Sequence, residues 1–291
     1  MLVTLNEVLK IAEEKQIAVG AFNCPNLESL EAIVAAAEEL DLPVILQFAQ
    51  CHEEYIALER IAPIMVAEAK AAKVPICCHL DHGEDLDYVR KSLDLGFTGV
   101  MFDGSTLPYA QNVELTKQAV AMAHAVGASV EAELGSMGRR ENGTGDGGDS
   151  GVDDETKIYT DPTQAKEFID ATGIDALACS FGTTHGIYLK APKLDFDVVA
   201  NVRKASGGIP VVMHGGSGVS AEDFHKAIRA GVRKVNYFTY MDKAGGAAAE
   251  EAVKKMREAN APVFFSTVSM AAREAMKQDV MEAIRVFGCM D

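Results

Sequence analysis

Apolar positions along the chain follow two different periods. Short runs, apolar or β-branched at nearly every position, stand at 18–23 (AVGAFN), 44–49 (VILQFA), 76–81 (ICCHLD) and 99–103 (GVMFD). Four more stand at 129–134 (SVEAEL), 176–181 (ALACSF), 211–215 (VVMHG) and 234–239 (KVNYFT). Runs of this length predict strands, and apolar residues on both parities predict strands covered on both faces, as in a parallel sheet. The intervening segments carry helix signals. Asn26 is placed to cap a helix through LESLEAIVAAAEEL, Pro108 to open another, and Ser220 to cap AEDFHKAIRAG, which Gly231 ends.

Eight such β-α units in about 250 residues predict an α/β protein, a (β/α)8 TIM barrel. A helix over 4–15 precedes the first strand, and a C-terminal helical extension over 269–287 follows the last unit. An open, doubly wound sheet is the alternative that pattern alone leaves. No linker or composition break divides the chain, so one domain over 1–291 is expected. The stretch 135–154 (GSMGRRENGTGDGGDSGVDD), rich in Gly and Asp, predicts a long loop after the fifth strand, either a surface insertion or an active-site lid.

Charge narrows the partners. Lys plus Arg number 27 and Asp plus Glu 43, a net charge of −16. Such a surface does not suit a phosphate backbone or an anionic bilayer, so neither nucleic acid nor membrane is an expected partner. No apolar run reaches the ~18 residues of a membrane span, and the N-terminus lacks signal-peptide character. Cys24, Cys51, Cys77, Cys78, Cys179 and Cys289 show no C-x-x-C spacing, which points to a reduced, cytoplasmic protein.

In a barrel enzyme the chemistry sits at the C-terminal ends of the strands, and unusual residues gather there. The third strand ends His79-Leu80-Asp81-His82, the fourth at Asp103, and the fifth carries Glu131-Ala132-Glu133. His185-Gly186 follows the sixth, and His214 with Gly215-Gly216-Ser217-Gly218 follows the seventh. Imidazoles at 82, 185 and 214, converging on one pole, would suit Zn²⁺ or a similar divalent ion; taken singly, each reads as a hydrogen-bonded loop residue. The G-G-S-G turn, followed by a helix N-terminus, can cradle an anion, or can be a tight turn that needs positive φ. Asn236-Tyr237-Phe238-Thr239 ends the eighth strand, and the loops after strands seven and eight form the recurrent phosphate site of such barrels.

Together, AFN (21–23), CHLDHG (78–83), VMFDGS (100–105), SVEAELG (129–135), GTTHGIY (182–188), VVMHGGSG (211–218) and KVN (234–236) resemble the metal-dependent class II ketose-bisphosphate aldolases, which include fructose- and tagatose-bisphosphate aldolases. The segments keep the family's order, and AREAMKQDVMEAIRVFG (272–288) resembles its C-terminal helix. The resemblance implies that His82, His185 and His214 hold a catalytic zinc. It places Asp103 and Glu133 at a second or alternative metal position, with a further divalent or a monovalent ion as the added cofactor. Asp81 becomes the acid/base at the C4 oxygen. The same resemblance implies that Gly186, Gly215, Gly216, Ser217, Asn236, Tyr237, Phe238 and Thr239 bind dihydroxyacetone phosphate. A metal chelated by the donor's oxygens would stabilise the enediolate left when C3–C4 breaks. A second base comes from the loop after the fifth strand, where Glu141 is the candidate. The implied assembly is a homodimer or homotetramer.

Several positions depart from the family pattern. Arg139-Arg140 replace a common Gly-Gly, and extra Gly and Asp follow. Ala49 stands where enzymes of hexose bisphosphates usually have a serine for the far phosphate. Tyr237 and Phe238 enter the eighth strand end, and Tyr240 replaces an acid; the two aromatics read either as packing or as a sign of another acceptor aldehyde. Lys243 and Arg273 are candidates for a far-end cation. Three rivals remain. A Schiff-base aldolase wants a barrel lysine, but the sixth strand has none and Lys234, at the start of the eighth, is expected at the opposite pole. The other two are a non-catalytic sugar-phosphate-binding barrel and a metal-dependent hydrolase.

Overall fold

The computed structural model describes residues 1–135, 159–184, 186 and 192–290. Eight strands, β1 (Val19–Asn23), β2 (Val44–Ala49), β3 (Ile76–Gly83), β4 (Gly99–Phe102), β5 (Ser129–Leu134), β6 (Ala176–Cys179), β7 (Val211–Met213) and β8 (Val232–Tyr237), pair in parallel in chain order. β8 returns to β1, with Ala21 opposite Asn236, so the sheet closes and the open-sheet alternative falls away.

Helix α1 (Leu5–Lys15) is held at its start by a capping box between Thr4 and Glu7. It closes the N-terminal end of the barrel. Leu5, Val8, Leu9 and Ala12 pack on Val19, Ala21, Ile45, Cys77, Ala176, Ala178 and Val212, the inward side chains of the strands. Around the barrel run α2 (Leu27–Leu40), α3 (Leu58–Ala71), α4 (Leu86–Asp94), α5 (Tyr109–Ala125), α6 (Pro162–Thr172), α7 (Phe196–Ser206), α8 (Ala221–Ala230) and α9 (Thr239–Glu258). The expected caps form: Asn26 Oδ1 accepts from Ser29 N at 2.9 Å, and Ser220 Oγ from Asp223 N at 3.1 Å. Pro108 immediately precedes α5, and Gly231 ends α8 at φ 126°.

Several element ends differ from expectation, and those of two elements matter most. The tail α10 (Phe265–Phe287) starts four residues before 269. Its last carbonyl accepts from Ala18 N at 3.0 Å, and Phe287 is buried, so it is tied to the base of β1. Strand β8 begins at Val232 and stops at Tyr237, because Thr239 already opens α9. Starting two residues early moves Lys234 from the rim into the barrel.

Candidate active site

Strand side chains alternate between faces, so the parity that buries Ile45, Cys77 and Val212 on α1 carries upward through two polar layers. The first holds Gln47, His79, Glu131 and Lys234, all fully buried. Lys234 Nζ donates to Glu131 Oε2 and to Asn236 Oδ1, both at 2.7 Å, and Glu131 Oε1 lies 2.7 Å from His214 Nε2. Burial opposes ionisation of Glu131, but the Lys234 ammonium and the His214 hydrogen bond hold its carboxyl at about 2. Burial first, then Lys234, drive His79 down to about 3. Lys234 therefore lies one layer beneath the mouth, not at the opposite pole, and its amine is engaged by two partners.

The second layer is the mouth. In a regular strand Asp81 and His82 would face opposite ways. His82 instead adopts φ 46°, and the β3–β4 register slips between Leu80 and Gly83. This bulge brings both neighbours to the same cavity. Asn23 Nδ2 and Asn236 Nδ2 each donate to an Asp81 oxygen at 3.0 Å. Burial works against its charge, yet His82, His214 and Lys234 hold the carboxyl well below the usual range. His82 Nδ1 lies 2.7 Å from Asp103 Oδ2, and Nε2 lies 3.1 Å from His214 Nδ1. Burial would lower His82, but Asp81, Asp103 and Glu133 raise it to about 10.

The His214 bond to Glu131 favours a proton on Nε2 and leaves Nδ1 turned toward His82. The 3.1 Å between these two nitrogens is near the ~3.3 Å between nitrogens bound at ~2.05 Å to one tetrahedral ion. Glu133 supplies the test of fit. Its Oε2 is buried without a hydrogen-bond partner, and burial together with Asp103 pushes its carboxyl up to about 8. Asp81–His82–His214 and His82–Asp103–Glu133 each place one donor atom within 4.8 Å of the others. Imidazole nitrogens with carboxylate oxygens suit a divalent ion such as Zn²⁺.

The expected residues fall into three groups. Asp81, His82, Asp103, Glu133 and His214 come together as described. Gly186, Gly215, Gly216, Ser217, Asn236, Tyr237, Phe238 and Thr239 line the cavity of 610 Å³ above them. His185 and Glu141 lie outside the described residues, as does most of the loop 135–154. At Gly215, φ 66°, a Cβ would meet Thr184 O at 2.3 Å, so the turn needs glycine. The Gly216 N–H donates to Asn236 O at 3.1 Å, so the loop's help to an anion must come from other amides. Tyr237 packs edge-on against Phe22 and Phe287, whereas the Phe238 ring lies tilted against His52 with centroids 4.9 Å apart.

Sequence reasoning gave no role to Glu131, Lys234, Asn23 or His52. The first two carried a readable signal: each lies two residues from an assigned residue, Glu133 or Asn236, and so on the same face of its strand.

The chain is similar to known proteins along its whole length. The family model described as fructose-bisphosphate aldolase class-II matches residues 3–291. The YdjI aldolase from Escherichia coli K12 is 34% identical with a TM-score of 0.84, covering 99% of this chain and 98% of that one. The fructose-bisphosphate aldolase (Fba) from Campylobacter jejuni shares the fold at 23% identity and a TM-score of 0.81, over 99% and 96%.

Proposed function

The chain belongs to the class II fructose-bisphosphate aldolase family, and from that membership we propose that it is a zinc-dependent lyase cleaving a ketose 1-phosphate or 1,6-bisphosphate reversibly to dihydroxyacetone phosphate and an aldehyde. The observation that carries this reading is the mouth cluster: two imidazoles and three carboxylates in two groups that share His82, with Glu133 Oε2 buried without a hydrogen-bond partner. His82 and His214, with His185, would hold the ion; Asp103 and Glu133 would hold a second or alternative position. When bound, the metal supplies Lewis-acid stabilisation of the negative charge that develops on the donor oxygens.

The chain's own groups do the rest. Asp81, kept ionised by His82, His214 and Lys234 and oriented by Asn23 and Asn236, takes the proton of the C4 hydroxyl as the C3–C4 bond breaks. The electron pair passes to the donor half, and Glu141 returns a proton to C3. Asn236 and the Gly215–Ser217 turn orient the phosphorylated donor. The Schiff-base rival lacks support, since Lys234 Nζ is bound by Glu131 and Asn236.

The working form is proposed as a cytoplasmic homodimer or homotetramer. Six free cysteines suit a reducing compartment, and exposed Phe264 and Phe265 at the α9–α10 turn suit a subunit interface. Among the described residues no helix is long and apolar enough to cross a membrane, and neither membrane nor nucleic acid enters the proposal. The deciding experiment is chelation. Verified metal-free protein should release triose phosphate from ketose phosphates at least ~10³-fold more slowly, with zinc restoring the rate; full turnover without metal would refute the reading.

A further inference from the structure

The cavity lining is of two kinds. Gly215, Gly216 and Ser217 are small. The other kind is His52, Glu54, Tyr55, Phe238 and Asp242. His52 is buried between rings, 4.9 Å from Phe238 and 5.7 Å from Tyr55, while Glu54 and Asp242 stand exposed at the rim. Ala49 pairs with Asp81 across β2 and β3, so a methyl group sits beside the catalytic carboxylate where a hydroxyl could have served an anion. Among the described lining residues there is no Lys or Arg. The two cations that the sequence offered are elsewhere: Arg273 pairs with Glu31, and Lys243 lies 5.5 Å over the Tyr240 ring.

This wall has a definite chemistry. Carboxylates accept hydrogen bonds from hydroxyl groups, and aromatic rings take up the C–H faces between them. A terminal phosphate would instead bring a dianion up to two carboxylates, a like-charge contact that selects against it. We infer that the aldehyde half of the substrate is an uncharged hydroxyaldehyde, so that the substrate is a ketose 1-phosphate, with Glu54, Asp242 and the His52–Phe238 wall setting the preference. This rests on the aldolase reading. In the synthetic direction the donor C3 loses a proton to the base, C3 bonds to the aldehyde carbon, and the former carbonyl oxygen takes the proton held by Asp81, so donor and acceptor sum to product.

The test runs in that direction, which avoids choosing a ketose stereoisomer. The zinc-loaded protein is given dihydroxyacetone phosphate with either glyceraldehyde or glyceraldehyde 3-phosphate, each as both enantiomers. The expected result is a kcat/KM at least about tenfold higher for glyceraldehyde. E54Q and D242N should each narrow that ratio, chiefly by lowering KM for the phosphorylated acceptor. Added salt should narrow it too, by screening the repulsion. Equal or better use of glyceraldehyde 3-phosphate, or a ratio unmoved in both variants, would overturn this inference while leaving the aldolase reading intact. Failure of every aldehyde to consume the donor would overturn the aldolase reading, and this inference with it.

Discussion

Two buried charge clusters lie one above the other in the barrel, both with carboxylates and imidazoles, and they reach opposite outcomes. In the lower layer, Glu131 meets the Lys234 ammonium and His214, and its carboxyl is held at about 2. The cation is part of the chain and the charge is closed. In the mouth, Asp81, Asp103 and Glu133 crowd around His82 and His214, and Glu133 is pushed up to about 8 with one oxygen short of a hydrogen bond. Here the chain brings more negative charge than it can answer. A buried group left short of a partner is costly, and a site that keeps such a shortage is ready for a cation from outside. In the proposed function the lower layer orients and the upper layer binds. They are joined at His214, through Glu131, and at Asn236, through Lys234.

The contrast can be broken by single substitutions. The largest effect should be catalytic. Asp81→Ala should lower kcat by about 10²–10⁴ with little change in donor KM, because the proposed function gives Asp81 the proton transfer and not the donor contact; undiminished turnover would remove it from the mechanism. Next comes Lys234→Met, which leaves Glu131 buried beside no ammonium and should cost about 3–5 kcal/mol in urea unfolding. The double variant with Glu131→Gln should recover part of that loss, and no recovery would show that the two do not act as a pair.

The smallest effect is Glu133→Gln, with the opposite sign. A carboxyl raised above its unfolded value of roughly 4.3 stabilises the fold fully only below that pH, and the contribution is lost as pH rises through about 8. Metal-free protein should therefore lose stability between about pH 4.5 and 8, and Glu133→Gln should flatten that decline by a few kcal/mol at pH 8.5. The same variant should weaken metal binding, read by competition with a chromogenic chelator. A pH profile identical to wild type would mean that the carboxyl is not starved of a partner.

Much of this was legible in the chain. The eight apolar runs mark the eight strands, and Asn26, Pro108, Ser220 and Gly231 act where their local chemistry places them. The motifs also announced Asp81, His82, Asp103, Glu133 and His214, because polar residues that end apolar strands of a barrel share one pole. Less was legible at element ends, where Thr239 chose helix over strand.

What the sequence determined by itself is what neighbouring residues decide: periodicity, caps, the order of units and the inventory of candidate ligands. Closure of the barrel decided the rest. Glu131 and Lys234 are 103 positions apart, and nothing local shows that their side chains meet across the interior. Nor does it show that His82 turns to φ 46° so that two adjacent residues face one cavity. The difference between a paired and an unpaired carboxylate depends on which charges lie within a few ångströms. That is a property of the folded sheet, because Coulomb and hydrogen-bond energies follow distance in space and not separation along the chain.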